Sequence, residues 1–215
     1  MIIKSGVSYA LFFLSVCFPV CVERNKGNNF RIGAECVPEI CITAYRVFVI
    51  DTLSAGPEVT LIVEKLEEYI EQNIPYDDIC KKITEYLKKT GLIFMLKSLK
   101  TFANNGRVFP VVAKVVGIAG ICIVGRASDE GTLEPMHKCK GERRSLETLV
   151  KELEIQGFVS GKISIGHCQN ETAAQNLKEM ILEKFQNVQI EIHKFRGLCS
   201  FYAEKGGVLL GFEKA

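Results

Sequence analysis

Apolar and polar positions along this chain fall into two rhythms, one helical and one of short buried runs, and the switches between them mark out the elements. Tyr45 to Asp51 (YRVFVID) is a β-branched run that predicts a parallel strand buried on both faces. The turn from Thr52 to Gly56 follows, and Pro57 suits the first turn of a helix. Along that helix Val59, Ile62, Val63, Leu66 and Ile70 recur at helical spacing with Glu64, Lys65, Glu67 and Glu68 between them, so one face is core and the other solvent. Asn73-Ile74-Pro75 closes it. A second helix is predicted from Tyr76 or Asp77 through Lys89 on Ile79, Ile83 and Leu87, with its lysine pairs on a solvated face. Gly91 ends it, Leu92 to Met95 reads as extended, and Ser98 to Asn104 reads as a short helix.

Past a tight turn at Asn104 to Val108, Pro110 to Gly120 reads as a small-residue apolar helix. Ile121 to Gly125 and Met136 to Lys140 read as the strands of a hairpin. Leu146, Leu149, Val150 and Leu153 mark the inner face of an amphipathic helix. Lys162 to His167 is a strand, Asn170 or Thr172 caps a helix through Phe185, and Val188 to His193 is another strand. Arg196 to Gly207 then reads as a polar loop punctuated by glycine, held by the apolar strand Val208 to Phe212, the usual build of a ligand loop on a rigid support. Such an order predicts a two-layer α/β domain with a mixed sheet.

The start of the chain departs from this regularity. Val7 to Val22 is a nearly unbroken apolar run, readable as a signal-peptide core or a short anchor, yet shorter than the ~20 residues of a membrane helix. Residues 25–44 carry no period, so organised structure is expected from Tyr45 onward. With 215 residues, 47% of them hydrophobic, the chain can build one good core and a partial second. Its 27 basic and 25 acidic side chains are interspersed, tryptophan is absent and the tyrosines are scattered, which points away from nucleic acid as a partner. Nine dispersed cysteines without a C-x-x-C pair read as reduced thiols of a cytoplasmic protein, and only His137 with Cys139 and His167 with Cys168 come near a metal-ligand spacing. His167 and Cys168 point to opposite faces of a strand and would not meet as a nucleophile and its base.

The strings FVIDTLSAGPE (48–58), TGLIFMLKSL (90–99), NNGRV (104–108), ASDEGTLEPMHKCKGERRSLETLV (127–150), IGHCQNE (165–171) and RGLCSFYAEKGGVLLGFE (196–213), in this order and spacing, closely resemble the DegV family. These are bacterial fatty-acid-binding proteins that include the FakB subunits of fatty acid kinase. The resemblance runs from about Tyr45 to Glu213 and implies an N-terminal and a C-terminal α/β domain enclosing one long-chain fatty acid, with no cofactor and no chemistry of the carrier's own. It divides the chain into a divergent segment 1–44, a stretch 45–105 holding the last strand of the N-terminal domain and connecting helices, and a C-terminal domain 106–215. Phe102, Val111, Val115 and Ile118 are then expected as walls of the acyl tunnel, with ordinary core as the alternative. Arg196, Cys199, Ser200 and Tyr202 are expected around the carboxylate, Tyr202 standing where many relatives have a histidine. Arg107, Arg143 and Arg144 are expected to dock a DAK-type fatty acid kinase subunit, and membrane contact is expected to be transient.

Two hydroxyl-bearing loops that hold the carboxylate in the family have no match in residues 1–44, so the chain reads as a truncated or altered carrier. The competing readings are a small α/β enzyme using Cys199 and Tyr202 on an acyl or phosphorylated substrate, and a non-functional fragment of a lipid carrier.

Overall fold

The computed structural model describes the backbone of residues 20–24, 30–33, 46–105 and 120–215, and the side chains of 48–105 and 120–215. Two sheets are present among them. The smaller runs in the order β2-β1-β3, formed by β1 (Val20–Arg24), β2 (Phe30–Gly33) and β3 (Arg46–Ile50), all antiparallel. Two expectations change here. The end of the apolar run and part of the aperiodic stretch form strands, so organised structure precedes Tyr45. β3 is an antiparallel edge strand rather than a parallel buried one, with Ile50 buried and Val49 47% exposed. A β-branched run looks the same in either setting, because the composition does not record which face a neighbour covers.

Helices α1 (Pro57–Glu71) and α2 (Tyr76–Leu87) pack on each other under β3 through Ile50, Ile62, Leu66, Ile79, Ile83 and Tyr86. Leu61 and Glu58, off the expected stripe, are also buried, because α1 has a second contact along β7 (Gly161–His167) and β9 (Val208–Glu213) of the larger sheet.

That sheet has the order β6-β5-β4-β9-β7-β8, adding β4 (Thr90–Leu96), β5 (Ile121–Ala127), β6 (Leu133–Lys140) and β8 (Val188–Lys194). Only the β7–β8 pair is parallel, which makes the sheet mixed, as expected. Buried β4 lies at its centre, so the sheet draws a strand from before the 105/106 division. Pro135 sits on edge strand β6 at an irregular register opposite Gly125, where a missing N–H does least harm. One face is covered by α4 (Glu142–Ile155) and α5 (Glu171–Lys184), whose Leu146, Leu149, Leu153, Leu177 and Ile181 meet Ile93, Met95 and Val124 in the main core. The other face carries α1, a short α3 (Lys100–Asn104) and α6 (Gly197–Ala203).

Candidate functional site

The second face of the sheet is where a ligand can be held. Side chains alternate across a strand, so Ile93 and Met95 of β4 go to the main core while Leu92, Phe94 and Leu96 form a row on the opposite face. Leu209 of β9, paired with Phe94, widens that row, Phe102 from α3 and Tyr202 and Ala203 from α6 close over it, and Leu53, Ala55, Ala127 and Leu133 complete an apolar slot. Its open interior is about 40 Å³, room for roughly three water-sized spheres. A slot so narrow favours a linear hydrocarbon over a ring system. Phe102 and Tyr202 stack at one end with ring centroids 4.9 Å apart and planes tilted by 36°.

The segment expected as a loop from Arg196 is helical from Gly197 to Ala203, which separates its polar residues. A helix sends consecutive side chains 100° apart, so Cys199 and Tyr202 reach the slot while Arg196, the exposed N-cap residue, does not line it. Ser200 is half-buried off the slot, its carbonyl accepting the Glu204 N–H at 3.1 Å and the Cys168 thiol at 3.7 Å. Burial pushes the Cys199 thiol up, against the Gly56 backbone N–H that pulls it down. Glu204 closes α6 and reaches across to α3, where its Oε1 accepts the otherwise uncapped Thr101 N–H at 2.9 Å.

The turn after β3 brings further groups that the sequence reading did not single out. Gly56 caps α1 with φ of 56° and ψ of −119°, a conformation open to glycine alone, and it packs against Phe195 and Cys199. Gly211 of β9 lets α1 approach the sheet: a Cβ there would stand 2.5 Å from the Glu58 backbone nitrogen. The buried Glu58 carboxylate accepts the Ser54 hydroxyl on Oε2 and the Thr90 hydroxyl on Oε1 at 2.6 Å. Burial raises its pKa, while Ser54, Thr90 and the charge of Lys214 work in the opposite direction. The signal available in the sequence was Ser54 four residues before a glutamate in the first turn of a helix, close to a capping box but one residue too long to be read as one.

Of the other expected residues, Arg143 and Arg144 stand exposed in the first turn of α4, with Arg143 Nε 3.2 Å from Glu147 Oε1. Arg107, Val111, Val115 and Ile118 lie outside the described residues. His167 is buried at the end of β7, where its Nδ1 accepts the Asn170 N–H at 3.2 Å. Among the described residues, no helix is long and apolar enough to cross a membrane.

The family described as "Uncharacterised protein, DegV family" matches residues 30–214. The chain belongs to the DegV family. A DegV domain-containing protein of Streptococcus pyogenes serotype M1 is 40% identical over 167 residues, 78% of this chain and 60% of the relative. This DegV chain thus spans about 60% of the length of the curated relatives it matches. Among solved structures it resembles the Streptococcus pneumoniae Fatty Acid Kinase (Fak) B3 protein loaded with linoleic acid, with a TM-score of 0.75 and 42% identity over 77% of this chain and 59% of that one. A DegV family protein from Eubacterium eligens loaded with heptadecanoic acid gives the same TM-score of 0.75 at 39% identity, over 77% of this chain and 60% of that one.

Proposed function

We propose that this chain binds a long-chain fatty acid and presents its carboxylate to a fatty acid kinase subunit of the DAK type, which would transfer the terminal phosphoryl group of ATP to a carboxylate oxygen. The slot along β4 carries this reading: it is apolar, narrow and lined by the stacked Phe102–Tyr202 pair. Each methylene taken out of water contributes ~0.8 kcal/mol, which is set against the ordering costs of binding and of opening the slot. The acyl chain lies along Leu92, Phe94 and Leu96, with the carboxylate towards the Tyr202 end, where the hydroxyl can donate to it. Two relatives near 40% identity hold fatty acids in their solved structures, which supports the ligand class. Exposed Arg143 and Arg144 supply cations for the kinase subunit.

An enzyme built on Cys199 is the weaker reading, since burial holds that thiol away from the thiolate that nucleophilic attack requires. Lipid extraction of natively purified protein followed by mass spectrometry tests the carrier reading. One fatty acid per chain is expected. Folded protein that stays empty, and that takes up no added palmitic acid, would sink the idea.

A further inference from the structure

The apolar row of β4 gives way to polar groups. Its next member towards the start of the strand is Thr90, which belongs to a polar chamber of about 220 Å³ adjoining the slot at Leu53, Leu92 and Ala127. The chamber is lined by Glu58, Thr90, Ser128 and Lys214, with Asp51 and Asp129 beside them. Glu58 is 93% withdrawn from solvent, being 7% exposed, yet it faces this space with each carboxylate oxygen holding a single hydroxyl donor. Lys214 supplies a cation near it. Acceptors, donors and hydroxyls therefore converge where a hydrocarbon would find no partner.

Length decides what reaches them. From Leu96 to Leu92 is four residues, about 14 Å of strand. An extended chain advances roughly 1.2 Å per atom, so about eleven or twelve carbons span the row from Leu96 to Leu92 once the slot has opened to admit them. The end of a long acyl chain anchored near Tyr202 overruns the slot and enters the chamber. We propose that this chamber is a second polar subsite that takes a hydroxyl group on the distal end of the acyl chain, so that the protein selects terminally hydroxylated long-chain fatty acids over unsubstituted ones of the same length. The hydroxyl donates to a free lone pair of Glu58 and accepts from Lys214. The inference rests on the acyl chain occupying the slot as proposed above.

The test compares delipidated protein titrated with palmitic acid and with ω-hydroxypalmitic acid. The hydroxylated ligand is expected to bind about tenfold tighter, the effect of one hydrogen bond to a charged group. Lys214→Met, on the half-exposed rim, is expected to shrink that preference severalfold while binding of palmitic acid holds. Equal or weaker binding of ω-hydroxypalmitic acid would overturn the subsite and leave the carrier reading intact. So would a preference that Lys214→Met retains. Failure of both ligands to bind would remove the carrier reading and the subsite with it.

Discussion

At the scale of single residues, the groups that shape the site act through burial. Glu58 has its pKa raised above the ordinary 4.5 by burial. A carboxyl of that kind holds its proton more tightly in the folded state, so its contribution to stability is present at acid pH, falls as pH rises past ~4.5 and is lost above the folded value. Glu68 works the other way, held below the usual range by its hydrogen bond from Lys65, so the whole-protein profile mixes both signs. The difference between wild type and Glu58→Gln isolates the first: the variant should gain on wild type as pH goes from about 4 to 7, read by urea unfolding at several pH values. No pH dependence of that difference would contradict the raised pKa. Gly211→Ala places its methyl against backbone of α1, which cannot swing aside as a side chain can. A loss of about 1–3 kcal/mol is expected, measurable as a lower urea midpoint.

Elements show how local pattern and long-range contact divide the work. Leu149 of α4 is fully buried in the main core, so Leu149→Ala should cost about 2–5 kcal/mol. Arg143→Ala, one turn and a half earlier on the same helix, should stay within about 0.5 kcal/mol, because its partner Glu147 lies on the surface. Thermal melts of the two variants separate a core face from a solvent face. α3 is only five residues long and has no side-chain cap of its own. Its stability is tied to Glu204, 103 residues away in sequence, through the Thr101 N–H. Glu204→Ala should cost about 1 kcal/mol and speed amide exchange in α3 more than in α4. Equal effects on the two helices would mean that Glu204 does not hold the Phe102 end of the slot.

For the whole molecule, binding and folding are linked. A ligand that occupies the slot only in the folded state stabilises it by about 2.7 kcal/mol at a hundred times its Kd, so the Tm of delipidated protein should climb with palmitic acid concentration. A flat Tm across saturating lipid would count against a carrier. The sheet draws its central strand, β4, from before residue 106 and its last strand, β9, from residues 208–213, with β4 hydrogen-bonded between β5 and β9. The slot therefore exists only when distant segments have come together, and loss of β9 would abolish slot and sheet alike.

Residue spacing alone determined most elements of this protein. The helix carried by Leu146, Leu149, Val150 and Leu153 and the strands around Ile163, Ile190 and Leu210 could be read directly, because a 3.6-residue or two-residue period is set by local geometry. The order of helices and strands carried a mixed sheet, and the motif strings carried the family. Tertiary structure alone decided the partners. β3 became antiparallel and half-exposed, the loop at Arg196 became a helix that turned Arg196 and Ser200 away from the slot, and Glu58 came to lie against Thr90. None of these has a local signature, since a strand's neighbour, a short helix's orientation and the burial of a charge depend on groups that meet only when the chain has folded.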